Sequence, residues 1–267
     1  MAFLTRDGVR LYYEVHGSGP AVLLSHGYSS SSRMWRGQVA AFKDRYRIIV
    51  WDMRGHGDSD YPDDPALYST AHTVADMAAL LDECGLDKAV IGGLSLGGYS
   101  TLAFHKAHPK RCTALLLCDT GPGFKKDESR LAWNERAHKR AATLESEGLA
   151  ALGGSAEVKQ ARHRNAQGLA HAARGMLAQD NSDVFHSLPG IDKPTLVVVG
   201  DNDTPFLPAT DYMVAKIAGA EKAVVPKAGH SSNIDNPDAF NAAVGAFLDR
   251  LGARVVARRP SDAGGRT

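Results

Sequence analysis

The pentapeptide Gly93-Leu94-Ser95-Leu96-Gly97 follows the strand-like run Lys88–Gly92 and precedes a stretch, Leu96 to Ala107, that reads as a helix. A strand that turns into a helix in so few residues forces strained backbone angles on its apex. Glycines at 93, 97 and 98 relieve the crowding of neighbouring backbone. The apex serine then projects above the sheet, its N–H at a helix start where partial positive charge gathers. Ser95 is therefore a candidate nucleophile. A plain serine in a glycine-rich turn is the alternative, and the flanking strand and helix argue against it.

A serine hydroxyl attacks only when a base takes its proton, and the base needs a carboxylate to fix its tautomer and stabilise its cation. His230 is the candidate base. It lies in Lys227-Ala228-Gly229-His230-Ser231-Ser232, after the strand near Val225 and before the last helix. Three aspartates compete as the acid. Asp203 and Asp201 lie in Gly200-Asp201-Asn202-Asp203-Thr204-Pro205, where the strand Thr195–Val199 ends. Asp201 suits a bond within its own turn, while Asp203 sits far enough out to reach a histidine on the next loop. Asp119 follows another strand end. Chain order alone leaves the choice open.

Acyl transfer also requires donors for the oxyanion, each of which supplies on the order of 3 kcal/mol of transition-state stabilisation. The Leu96 N–H at the helix start is one. The loop His26-Gly27-Tyr28-Ser29 after the strand Ala21–Leu24 supplies the second, for which the Tyr28 N–H is the expectation.

Several elements must position these groups. Val9–His16 alternates apolar and polar residues as an edge strand does, and Asp7-Gly8 signals a hairpin back to Ala2–Thr5. Ala21–Leu24, Ile48–Trp51, Ala114–Cys118 and Thr195–Val199 are short apolar runs that read as strands buried on both faces. Ala223–Val225 is a shorter strand. Helices are expected at Met34–Phe42, Thr73–Cys84 and from Asn236-Pro237 to about Leu251. The stretch Phe124–His186 has no β-rich run; Leu131, Trp133, Ala137 and Leu144 among many charges suggest several short amphipathic helices. Lying between two strands of one sheet, it reads as a helical insertion over the strand ends, where α/β sheets carry their binding sites.

The bulk composition limits the alternatives. The 31 Lys and Arg nearly balance 30 Asp and Glu, so no net field favours nucleic acid or an anionic membrane. No apolar run approaches the ~18 residues that span a bilayer, and no signal peptide is visible. Cys84, Cys112 and Cys118 lack metal spacing and fit a reducing compartment. The expectation is a cytoplasmic protein with a flexible tail at 253–267.

These segments together resemble the α/β-hydrolase fold family over about residues 8–252. The resemblance is carried by His26-Gly27 with Trp35, Asp52-Met53-Arg54-Gly55-His56-Gly57-Asp58-Ser59, Gly93–Gly98, Gly200–Asp203, and Gly229-His230 with Asn236-Pro237. It implies a mostly parallel eight-stranded sheet flanked by helices. The core would run over 1–123 and 187–252, with a helical cap at 124–186. It further implies a Ser95–Asp203–His230 triad, an oxyanion hole from Tyr28 and Leu96, and a structural role for Arg54–Ser59. Serine at the elbow speaks against dehalogenases and epoxide hydrolases, whose alkyl-enzyme ester needs a carboxylate. In texture the chain is most similar to small carboxylesterases and enol-lactonases. The expected activity is hydrolysis of a carboxylic ester or lactone with no metal or cofactor, and Trp133 and Phe206 are candidate pocket residues. C–C bond hydrolysis, perhydrolysis and a slow-turnover ligand receptor are the alternatives on the same framework.

Overall fold

The computed structural model describes residues 2–257, the side chains of 253–257 excepted. Eight strands form one sheet: β1 (Ala2–Arg6), β2 (Val9–His16), β3 (Ala21–Ser25), β4 (Arg47–Trp51), β5 (Ala89–Leu94), β6 (Cys112–Cys118), β7 (Thr195–Gly200) and β8 (Glu221–Val225). Their order across the sheet is β1-β2-β4-β3-β5-β6-β7-β8. The β1–β2 and β2–β4 pairs are antiparallel and all others parallel. Asp7 and Gly8 both adopt positive φ, 53° and 74°, which gives the β1–β2 hairpin its tight turn. β2 is not the edge that its alternation suggests. β1 covers it, and Tyr12, a polar-phase position, is buried.

The central strands β3, β5 and β7 are buried at every residue and β6 at all but Thr113 near its start, as strands with helices on both faces must be. On one face lie α2 (Thr70–Glu83) and α3 (Leu96–Ala107), which contribute Met77, Leu80, Leu81, Leu102 and Phe104. On the other, Trp35 and α1 (Arg36–Phe42) meet Phe240, Val244, Phe247 and Leu248 of the last helix. The expected helix at Met34–Phe42 is split. A 3-10 turn over Ser32–Trp35, capped by Ser31, hands over to α1. α2 starts at Thr70, three residues before the periodic stretch, because Ser69 caps it through the His72 N–H.

Between β6 and β7 the chain forms helices and loops but no strand. It runs through α4 (Asp127–Glu147), a 3-10 turn (Gly148–Leu152), α5 (Ala156–Ala161), α6 (Ala166–Ala172), a π turn (Ala173–Leu177) and α7 (Asp183–Ser187). The expectation of several short helices fails at α4, which has 21 residues yet buries only Ala137, Ala141 and Leu144. Its apolar stripe is narrow because it faces one layer alone, and Leu131 is exposed. Ala141, Leu144, Leu152, Leu169, Ala170 and Ala173 form a small core of their own. The C-terminal part adds α8 (Leu207–Lys216), α9 (Ser232–Asp235) and α10 (Pro237–Ala257). α10 thus carries helical backbone to Ala257, beyond the expected stop near Leu251 and into the stretch read as a tail. Residues 258–267 of that tail lie outside the described residues.

Close backbone approach dictates two of the glycines. A Cβ on Gly97 would stand 2.2 Å from the Ser25 carbonyl oxygen, and one on Gly93 would stand 2.4 Å from the Gly97 carbonyl. Contacts to backbone cannot be relieved by rotamer changes. Gly252, in α10, has open space around it. Gly97→Ala is therefore expected to cost more than about 2 kcal/mol, whereas Gly252→Ala should raise stability by roughly 0.5–1 kcal/mol through helix propensity. Urea denaturation of the two variants checks both signs.

Candidate active site

β5 ends at Leu94 and α3 begins at Leu96, so Ser95 alone makes the reversal, with φ 55° and ψ −114°. For a non-glycine residue such angles cost roughly 1–3 kcal/mol. Two bonds from the neighbouring strand end hold them. The Ser95 N–H donates to the Cys118 carbonyl at 2.9 Å, and Thr120 Oγ1 donates to the Ser95 carbonyl at 2.7 Å. Thr120 also fills the space that Gly98 leaves open, since a Cβ there would meet it at 2.5 Å.

The loop after β8 carries His230 to the serine. Its Nε2 lies 2.9 Å from Ser95 Oγ, and its Nδ1 lies 2.9 Å from Asp203 Oδ2. With Nδ1–H donating to the carboxylate, Nε2 is left to accept the serine proton. Burial works against an imidazolium here, but the bond and charge of Asp203 outweigh it, so the His230 pKa stands above its ordinary 6.5. Phe206 stacks on the imidazole, with ring centroids 4.7 Å apart and planes at 29°. Asp201 does something else. It accepts the Ala228 N–H at 3.1 Å and so braces the histidine loop from outside, the backbone N–H groups of Lys227 and Ala228 holding its carboxyl below the ordinary range. Its strongest partners thus lie across the loops, and the N–H groups of its own turn, the expected partners, contribute less.

Two backbone donors face no protein acceptor. As the first residue of α3, Leu96 has no intrahelical partner for its N–H. Tyr28 sits in the turn closed by the Ser30 N–H donating to the Gly27 carbonyl at 3.1 Å. Among the described residues neither the Leu96 nor the Tyr28 N–H donates to a protein group. Gly27 brings this turn against the elbow: a Cβ there would touch Ser95 Cβ at 3.5 Å. The Tyr28 hydroxyl points the other way and donates to the Leu169 carbonyl of α6 at 2.9 Å. Beneath the turn, Asp52 accepts the Ser32 N–H at 2.6 Å and the Asp58 N–H at 2.7 Å. Arg54 forms a buried pair with Asp76 at 2.7 and 2.8 Å. His26 and His56 are fully buried, and burial drives both pKa values down, that of His26 to about 3, so both rings are neutral. Residues 52–59 thus hold the loop rather than face the serine.

A cavity of about 250 Å³ opens beside Ser95 between the sheet and the helical insertion. Leu96, Tyr99, Phe124, Trp133, Leu177 and Phe206 make much of its wall. Trp133 is fixed there, its Nε1–H donating to the Leu177 carbonyl at 2.8 Å. Tyr99, Thr120 and Gln179 also reach this site. Sequence spacing carries no signal for them, because they come from a helix side, a strand end and a loop after the π turn, far apart in the chain.

The family model described as the alpha/beta hydrolase family matches residues 22–243. A putative 2-succinyl-6-hydroxy-2,4-cyclohexadiene-1-carboxylate synthase of Bacillus subtilis is 30% identical, with 92% of this chain and 97% of the relative covered. The 3-oxoadipate enol-lactonase 2 of Acinetobacter baylyi is 31% identical over 93% of this chain and 96% of that protein. Among solved structures, a thermophilic esterase from Thermogutta terrifontis superposes with a TM-score of 0.81 at 29% identity, covering 93% of this chain and 97% of its own.

Asp119 is fully buried at the end of β6 and links the two loops that bear His230 and Asp203. It accepts the Gly200 N–H at 2.8 Å, the Ser232 hydroxyl at 2.5 Å and the Ser232 N–H at 3.3 Å. It is thus a brace, not the acid that orients the imidazole. Burial outweighs these donors and pushes its carboxyl up to about 7. A group raised on folding gives stability that is complete below its unfolded pKa near 3.8 and lost as pH climbs through about 7. Asp119 should therefore contribute a loss of stability between pH 4 and 7, opposed by the gain that His26 and His56, lowered on folding, contribute as pH rises toward 6.5. Asp119→Asn, which cannot titrate, should lose roughly 1–3 kcal/mol at pH 5 from mispaired donors, and its deficit against the wild type should narrow as pH rises from 4 to 7. Denaturation midpoints measured against pH for both proteins provide the check.

Proposed function

This chain belongs to the alpha/beta hydrolase family, and from that membership we propose that it cleaves carboxylic esters or lactones through an acyl-enzyme on Ser95. The observation that carries the reading is the series of two 2.9 Å contacts from Ser95 Oγ through His230 to Asp203. An enol-lactonase and an esterase among the similar proteins support the choice of bond. The apolar cavity supports a small substrate, since it is below the roughly 300–1,000 Å³ typical of sites for drug-sized ligands.

In the first half-reaction His230 Nε2 takes the proton of Ser95 as Oγ bonds to the carbonyl carbon. The carbonyl oxygen gathers negative charge and is met by the N–H groups of Tyr28 and Leu96, the latter helped by the helix start. Asp203 keeps Nδ1 protonated and offsets the charge of the imidazolium. When the intermediate collapses, the C–O bond to the leaving alcohol breaks and His230 returns the proton to it. Water then enters, gives its proton to His230 and displaces Ser95 by the same steps. Pre-formed donors need not reorganise as charge develops, which is the source of their effect.

Residues 124–186 act in this reading as a cap over the strand ends, with Trp133 and Phe206 as pocket walls. Phe206 also limits how the imidazole can tilt. The substrate is a small molecule. Cytoplasmic residence is supported by Cys84, Cys112 and Cys118, all free and buried. Among the described residues no helix is long and apolar enough to cross a membrane.

Short-chain p-nitrophenyl esters should be hydrolysed, and a fluorophosphonate should label the wild type but not Ser95→Ala. Ser95→Ala or His230→Ala should lower kcat by roughly 10⁴-fold or more; unchanged turnover in either would overturn the assignment. Because activity needs a neutral imidazole, kcat/KM should fall as pH drops through a midpoint above the ordinary histidine value of 6.5. Asp203→Asn should move that midpoint down while cutting kcat, as a pH-rate profile of the two proteins would show.

A further inference from the structure

The cavity beside Ser95 is lined mostly by apolar side chains; among its polar groups Ser95, Thr120 and Trp133 make hydrogen bonds, and the Tyr99 hydroxyl makes none among the described residues. Ser95 meets His230, and Thr120 donates to the Ser95 carbonyl. Arg136 lies exposed at the rim. Gln179 differs from these. It is 8% exposed, lines the cavity, and its buried Oε1 has no hydrogen-bond partner among the described residues. A buried amide oxygen left unpaired costs on the order of 1–3 kcal/mol, so its presence in an apolar wall calls for a physical account.

The backbone that presents this amide is clamped to α4. Asn134 Nδ2 donates to the Gln179 carbonyl at 2.9 Å, and the Gln179 N–H donates back to Asn134 Oδ1 at 2.8 Å. One residue earlier on α4, Trp133 holds the Leu177 carbonyl. Gly123, with φ 87°, makes room for the amide, because a Cβ there would stand 2.6 Å from Gln179 Oε1. The segment 177–179 is thus pinned at three points while the side-chain amide itself is uncommitted. A half-turn about its terminal bond exchanges donor for acceptor, and no protein hydrogen bond opposes that turn.

We infer that Gln179 is a specificity-determining residue that binds a hydroxyl or carbonyl group on the non-reacting arm of the substrate, so that the preferred ester or lactone carries a polar group rather than a plain alkyl chain. This rests on the reading of the cavity as the substrate pocket. Discrimination arises because an alkyl arm leaves the amide unpaired and dry, whereas a hydroxylated arm completes it. A polar ligand group loses its own hydration on entry, which limits the net gain to about tenfold in affinity.

The test measures binding separately from turnover. Calorimetric titration of the full-length Ser95→Ala protein would compare phenyl alkanoates of four to eight carbons with their ω-hydroxy counterparts. A second series places the hydroxyl on the alcohol arm, as in alkyl and ω-hydroxyalkyl acetates. At one or more lengths the hydroxylated member should bind about tenfold tighter than its alkyl partner. That preference should vanish or reverse in Ser95→Ala proteins that also carry Gln179→Leu. Gln179→Met, which keeps the length of the side chain without its hydrogen bonds, serves if the leucine variant fails to fold. Equal binding of both members at every length, or a preference that survives both substitutions, would overturn the inference. Wild-type turnover of the alkyl esters is scored apart: hydrolysis without any hydroxyl preference removes the role of Gln179 and leaves the serine chemistry standing. A hydroxyl preference without hydrolysis does the reverse.

Discussion

The molecule turns on the compression of three strand ends around Ser95. A non-glycine residue at φ 55° persists only where its surroundings over-determine it. Here β5 enters, α3 leaves, the end of β3 presses on Gly97, and the end of β6 takes the Ser95 N–H and returns a hydroxyl to its carbonyl. The same crowding that strains the serine brings the His26–Ser29 turn beside it, so the proposed nucleophile and the proposed oxyanion donors share one cause. Packing that is dense and two-sided in the central strands supplies the stiffness for this.

The proposed acid and base depend on a different part of the sheet. β7 and β8 end in neighbouring loops, and two carboxylates keep those loops in register. Asp201 grips the histidine loop at its surface and Asp119 grips it from beneath. Only Asp203 is left to face the imidazole. Three aspartates near strand ends thus divide into two braces and one orienting group, and the division comes from depth as well as from distance along the chain.

Much of this was legible in the residues alone. The apolar runs of β3–β7 announce buried parallel strands, and the elbow's glycines mark the close approaches that the structure contains. The strand ends at Ser95, Asp203 and His230 follow from those runs, and so does their meeting at one edge of the sheet. What was not legible depends on contacts between distant segments. The length of α4 is hidden because a helix facing one thin layer needs only Ala137, Ala141 and Leu144 on its buried side. The early start of α2 is set by a single serine cap. Tyr12 is buried on the polar phase of β2, because Phe3 of β1 packs edge-on against its ring and Glu14 takes its hydroxyl. Gln179 and Thr120 carry no spacing signal at all, since only the folded chain makes them neighbours of the serine.

Tyr28 joins two layers through opposite ends of one residue. Its backbone lies in the turn beside Ser95, and its phenol is tied to the Leu169 carbonyl in the helical layer above. His163 adds a second tie, with Nε2 2.9 Å from the Ser29 carbonyl. The upper layer is consequently not an interchangeable lid. A chimera that borrowed residues 124–186 from a relative would inherit that relative's anchoring geometry as well. It would have to import the matching 26–30 turn, because the two segments are mechanically a single part.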